Sequence, residues 1–332
     1  MKKLEKIDLY NFELENGKQS VYIPLFYQVF GQPIGDAPVV VVNHALTGNS
    51  NVSGENGWWN DLIGENKTIN TNRFTVIAFN IPGNGFDGID KNLISNYQDF
   101  TIRDVANIFW EGLFFLNIKD VFSLIGGSLG GAIAWEMTVI QPEKIQNLIP
   151  IATDWKATDW VIANVLIQDQ ILNNSKNPIM DARLHAMLLY RTPQSINQRF
   201  LRQKTDNFSK YQIENWLQNH GIKLKNRFQL SAYKLMNHLL KTNDITRNRN
   251  SFLELSKNIK ANIHIVSVDS DYFFIADENR ETYFQLKNNN NVYYHEIKSV
   301  HGHDAFLIEF EQLVEILEPI FYKKTKQIYV TT

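Results

Sequence analysis

The chain contains no cysteine, which excludes disulfides, thiolate metal sites and a cysteine nucleophile. It also lacks an excess of basic charge. At a formal net charge of −2 it projects no global field for nucleic acid. No run approaches the roughly 20 apolar residues that a membrane helix needs. The opening residues, Met1 to Asp8, are basic and then polar, without the apolar centre of a secretory leader. The histidines are not spaced with Asp or Glu along one helix face, so no metal site is expected. Together these absences predict a cytoplasmic protein with no membrane or nucleic-acid partner. What the chain does have is apolar content, 44% over 332 residues, enough for a sizeable core.

That content falls into short runs bounded by turn residues. Residues 21–30, 39–43, 74–79, 121–125 and 148–152 read as strands, although Pro150 fits a paired position poorly. Helical periods fill 97–116 and 130–140, the latter stopped by Pro142. Strands alternating with helices predict an α/β protein with a mostly parallel central sheet flanked by helices. The rhythm changes after Asp154. Helical patterns occupy 161–172, 181–190, 193–203 and 230–240, with no convincing strand among them. Strand character returns at 263–268 and 292–297, and an amphipathic helix is expected over 305–320. The expected organisation is an α/β core from 1–154 and 251–332, interrupted by a helical lid insertion at 155–250.

One local motif carries chemistry. Gly126-Gly127-Ser128-Leu129-Gly130 contains G-x-S-x-G, directly after an expected strand and before an expected helix. That context is the nucleophile elbow of the α/β-hydrolase fold. A serine on so sharp a turn tolerates only small neighbours, and the glycines remove the clashes. The turn also puts the N–H of Leu129 at a helix N-terminus, where it can bind an oxyanion. The plainer alternative is a glycine-rich turn without catalysis.

Serine needs a base and an orienting acid, in the chain order Ser, then Asp or Glu, then His. His303 lies before the final helix and is the expected base, with His301 the competing position and His295 inside a strand. Asp271 lies deeper than Asp269 in the loop after 263–268 and is the expected acid. The second oxyanion donor is expected from the loop after 39–43, at the N–H of Leu46. His44 precedes Ser128 and breaks the order, so it reads as a loop anchor.

Three stretches resemble the homoserine O-acetyltransferase family: Asn43-His44-Ala45-Leu46-Thr47-Gly48, Gly126-Gly127-Ser128-Leu129-Gly130-Gly131 and Gly302-His303-Asp304-Ala305-Phe306-Leu307. The segment Val268-Asp269-Ser270-Asp271-Tyr272 resembles the family's acid loop and favours Asp271. The resemblance implies ping-pong transfer from acetyl-CoA to the hydroxyl of L-homoserine, a step of methionine biosynthesis. Acyl-CoA would be a co-substrate and no cofactor would be needed. It further implies that Asp304 holds the acceptor's amino group, that Arg183 holds its carboxylate, and that the protein is a homodimer. Arg227 matches a recurrent family position without an assigned role. The chain departs from the family in a shorter segment at 80–88, a shortened insertion before Arg183, and a missing aspartate and asparagine around 227–233. These changes bear on donor and acceptor choice rather than on the triad.

Three other readings compete. A succinyl donor or a serine acceptor would keep the mechanism, since pockets discriminate one methylene weakly. A serine esterase would keep the triad but has no use for both Arg183 and Asp304. A non-catalytic protein on the same scaffold has no use for the ordered serine, acid and base.

Overall fold

The computed structural model describes residues 3–206, 209–288 and 291–322; the last part of the expected core, 323–332, lies outside them. Eight strands form one sheet. β1 (Glu5–Glu13) and β2 (Gln19–Gly31) make an antiparallel hairpin, and β2 runs antiparallel to β4 (Thr75–Phe79). Beyond β4 every pairing is parallel: β3 (Val39–Asn43), β5 (Val121–Gly127), β6 (Ile145–Ile151), β7 (Asn262–Val268) and β8 (Val292–Ile297), in the order β4-β3-β5-β6-β7-β8. The mostly parallel α/β sheet expected from the sequence is therefore present.

The reason is visible in β3. Val39 and Val41 join one hydrophobic cluster and Val40 and Val42 the other, so both faces of the strand are buried. Continuous β-branched runs suit such a strand because alternate side chains serve opposite faces. One cluster packs under α1 (Ile102–Phe115) and α2 (Leu129–Ile140), the other under α10 (Phe310–Phe321).

Several elements differ from expectation. β1 has only Ile7 fully buried, so its apolar alternation is faint. Pro150 does stand inside β6, in register with Gly126. In a parallel ladder each N–H serves a single neighbour, so one proline removes one bond. α1 begins only after Thr101, whose hydroxyl and Asp104 form a capping box. The final helix is split into a 3-10 segment at Gly302–Leu307 and α10.

Between β6 and β7 the chain runs through α3 (Asp159–Asn174), α4 (Pro178–Tyr190), α5 (Pro193–Phe200), α6 (Gln212–Lys225) and α7 (Leu230–Lys241). α6 was not anticipated, since only Gly221 and Leu224 are buried on it and no apolar stripe shows. The entry and exit of this segment are laced together. Ala157 N–H donates to Asn243 O at 2.7 Å, Ile245 N–H to Trp155 O at 3.3 Å, and Asn243 Nδ2 to Asp154 O at 2.9 Å. The exit is also tied to the core by charge. Glu15 takes Arg103 and Arg247 at 2.6 Å each, and fully buried Glu136 takes Arg103 and Arg249 at 2.7 Å each. Short helix α8 (Phe252–Ser256) precedes β7, and α9 (Ala276–Leu286) joins β7 to β8. Among the described residues no helix is long and apolar enough to cross a membrane.

Candidate active site

β5 ends at Gly127 and α2 begins at Leu129, so Ser128 alone makes the turn. Its backbone sits at φ 54°, ψ −124°, a conformation that L-residues avoid. The flanking glycines are needed for space. A Cβ on Gly126 would lie 2.5 Å from the backbone of Gly130, and one on Gly130 would lie 2.2 Å from the Asn43 carbonyl. Neither contact can be relieved by moving a side chain. The same crowding brings the loop after β3 directly against the elbow.

Ser128, His303 and Asp271 meet although 175 and 32 positions separate the two bonded pairs. Ser128 Oγ lies 2.9 Å from His303 Nε2, and His303 Nδ1 lies 2.7 Å from Asp271 Oδ2. All three side chains are buried. The loop after β7 fixes Asp271 by its second oxygen, which accepts from the N–H groups of Phe273 at 2.7 Å and Phe274 at 3.0 Å. The imidazole of His303 is enclosed by the rings of Tyr190, Phe273, Phe274 and Phe306, with centroids 5.3–5.8 Å away. An apolar enclosure strengthens the bonds inside it by lowering the local dielectric.

The competing positions do other work. Asp269 is exposed and accepts from Ser299 N–H at 3.0 Å, capping the loop after β8. His295 pairs with His264 across β7 and β8 at 3.3 Å. His301 is bonded to Arg191 and Ser195, while Ser128 is bonded by His303.

His44 is buried, and burial pulls it down from 6.5 to about 4. Its Nε2 accepts from Ile81 N–H at 3.0 Å, so the ring proton sits on Nδ1, 2.8 Å from Ala45 O. It anchors the turn that presents Leu46, which Gly48 N–H closes onto Ala45 O at 2.8 Å. Leu129 opens α2, so its N–H belongs to the unpaired first turn of a helix.

Arg183 and Asp304 flank this centre. The Arg183 guanidinium lies 5.4 Å from the ring of Tyr190, which itself packs on His303. Desolvation raises the Asp304 carboxyl above its usual range, opposed first by the charge of Arg183 and then by those of His303 and Arg191. Desolvation lowers Arg227, and the nearby charge of Arg183 adds to the effect. Sequence reasoning passed over Tyr190 and Arg191. Their signal was position: they end the helix that carries Arg183. Among the described residues, no group of three or more His, Cys, Asp or Glu gathers closely enough to hold a metal ion.

Comparison with known proteins bears on the fold and the family. Residues 38–177 match the alpha/beta hydrolase fold family. The chain is 32% identical to homoserine O-acetyltransferase of Cyclobacterium marinum, over 93% of this chain and 92% of that protein. It is 30% identical to the homoserine O-acetyltransferase of Methanococcus vannielii, over 96% of this chain and 72% of that one. The solved structure of homoserine O-acetyltransferase from Staphylococcus aureus superposes with a TM-score of 0.81 at 25% identity, covering 98% of this chain and 96% of that chain. Esterase E22 superposes with a TM-score of 0.85 at 17% identity, covering 97% and 100%, a likeness of fold. The chain belongs to the homoserine O-acetyltransferase family, acyltransferases built on the α/β-hydrolase fold.

Proposed function

We propose that the protein transfers an acetyl group from acetyl-CoA to the hydroxyl of L-homoserine through an acetyl-Ser128 intermediate. His303 takes the Ser128 proton as the hydroxyl attacks the thioester carbonyl, and Asp271 holds the imidazole in the required tautomer. The developing oxyanion is held by the N–H groups of Leu46 and Leu129. His303 returns the proton to the departing thiolate. It then deprotonates the homoserine hydroxyl, which attacks the acyl-enzyme and frees Ser128.

The observation that carries this reading is the Ser128–His303–Asp271 line, 2.9 Å and 2.7 Å, with a carboxylate and a guanidinium beside it. The charge of Arg183 reaches Asp304, yet among the described residues no ion pair within 4.0 Å joins them. A zwitterionic acceptor seated between them has its amino group met by Asp304 and its carboxylate by Arg183. A simple ester carries neither charge. The names of the relatives and the buried, aromatic-walled base support transfer over hydrolysis, since the acyl-enzyme must outlive contact with water. The resemblance extends to a homodimer, and we propose that assembly here as well.

Mass measurement after mixing with acetyl-CoA tests the reading. The expected result is one acetyl group on Ser128, stable alone and discharged by homoserine to O-acetylhomoserine. Thiol release at the same rate without homoserine would replace transferase by hydrolase. Labelling by succinyl-CoA instead, or discharge by serine, would revise donor or acceptor. Sedimentation of the protein as a monomer would remove the dimer.

A further inference from the structure

His301, two positions before His303, belongs to a second polar cluster. Arg191 follows α4, is buried, and turns its Nη2 to Ser195 Oγ at 2.7 Å and to His301 Nδ1 at 2.9 Å. Ser195 Oγ and His301 Nδ1 are themselves 3.0 Å apart. A guanidinium has donors only. His301 Nδ1 must therefore accept, and the ring carries its proton on Nε2. The Arg191 side chain thus recognises one ring nitrogen and one tautomer of His301, two positions before the base.

The residues on either side of this contact repeat it. Thr192 Oγ1 donates to the Val300 carbonyl, and the same oxygen accepts from Ser195 N–H at 3.0 Å at the start of α5. Gly302 turns at φ 67° with the Tyr190 carbonyl 3.0 Å and Thr192 Cγ2 3.2 Å from the place a Cβ would occupy. Val300, His301 and Gly302 are thus each met by the corner between α4 and α5. From the other side, Gly302 N–H donates to Ser270 Oγ at 3.1 Å, next to Asp271. The turn that bears His303 and Asp304 is gripped between the helical insertion and the acid loop.

We propose that Arg191, acting through His301 and Ser195, is the positioning residue that aligns this turn. His303 stands over Ser128 only when the α4–α5 corner of the insertion is seated. Arg183 lies about two turns earlier on the same α4. The helix that carries the acceptor's carboxylate partner is thus the helix that sets the base. The insertion is a component of the catalytic alignment as well as a cover.

The inference rests on Ser128 and His303 being the reacting pair, so the test uses a probe that needs neither donor nor acceptor. A fluorophosphonate reacts only with a serine activated by its base. Wild-type protein is expected to label at Ser128; absence of labelling would remove the triad reading itself, independently of Arg191. Arg191→Ala is expected to label about 10- to 100-fold more slowly at unchanged far-UV circular dichroism, the size of effect that small misplacement of a catalytic group produces. Added guanidinium ion should restore part of the rate. His301→Leu should match Arg191→Ala, whereas His301→Asn, which keeps an acceptor near the Nδ1 position, should retain most of the rate. The two slow variants combined should be no slower than either alone, because they break one unit. Labelling of folded Arg191→Ala at the wild-type rate would overturn the proposal, as would losses that multiply in the double variant. If Arg191→Ala does not fold, the contrast between His301→Leu and His301→Asn decides: equal rates overturn it.

Discussion

Arg227 donates from Nη1 to the carbonyl oxygen of Thr47 at 2.9 Å, tying the segment between α6 and α7 to the turn that presents Leu46. His44 is bonded to Ala45 O of the same turn, so Arg227 is a second, separate tie on it. Arg227→Met should therefore act on the oxyanion rather than on substrate charge. We expect kcat for acyl transfer to fall about 10- to 100-fold, as for a displaced oxyanion donor. The KM for homoserine should change little. Steady-state kinetics check this; a rise in the KM for homoserine with kcat intact would assign Arg227 to the acceptor instead.

The backbone at Ser128 allows strain and chemistry to be separated. Ser128→Ala and Ser128→Gly both remove the nucleophile, but only glycine accepts φ 54°, ψ −124° without cost. The glycine variant should be the more stable of the two by about 1–3 kcal/mol, the range for a strained residue at a functional turn. Urea melts of the two inactive proteins measure the difference directly. Equal midpoints would mean that the elbow carries no strain.

Asp304→Asn keeps the shape of the carboxyl and removes its charge. Loss of one charged hydrogen bond to an ammonium is worth about 1.5–3 kcal/mol, so the KM for homoserine should rise about 10- to 150-fold. Formation of the acetyl-enzyme, which precedes the acceptor, should proceed at the wild-type rate. Rapid-quench measurement separates the two steps. Slowed acetylation would place Asp304 in the first half-reaction.

Acid should loosen the turn at residues 44–48 through His44. Its folded pKa lies near 4 against 6.5 for the free side chain, because burial disfavours the imidazolium. The unfolded chain therefore binds the proton first. The contribution of His44 is fully present above pH 6.5 and is lost as pH falls toward 4. Asp154, buried and raised to about 7, gives a slope of the opposite sign, with stability lost as pH rises from 3.8 to 7. It is common to both proteins when wild type is compared with His44→Gln. The variant should show a flatter loss of stability between pH 6.5 and 4, and parallel curves would contradict the assignment.

What the sequence made legible follows from the range of each cause. The elbow is a local steric problem solved by Gly126 and Gly130, and its solution is written in adjacent letters. Asp271 and His303 were reachable because strand order fixes which loops overhang the elbow. The contact of Arg191 with His301 was not reachable. It spans 110 positions and joins a helix end to a turn, with no period or motif to announce it. β1 and α6 were missed for a related reason. Each buries few side chains, so neighbours rather than apolar rhythm hold them in place.

The interruption between β6 and β7 also bears on how the protein is made. β6 lies in the middle of the sheet, yet its neighbour β7 begins only at Asn262, after all five helices from α3 to α7 have been synthesised. At about 5–20 residues per second, a ribosome leaves the open edge of β6 waiting for roughly 6–22 seconds. During that interval the nascent chain presents an apolar strand with one unpaired edge to whatever is nearby. Early collapse of the five-helix segment over that edge, held by the Ala157–Asn243 lacing at its stem, would shield it until β7 arrives.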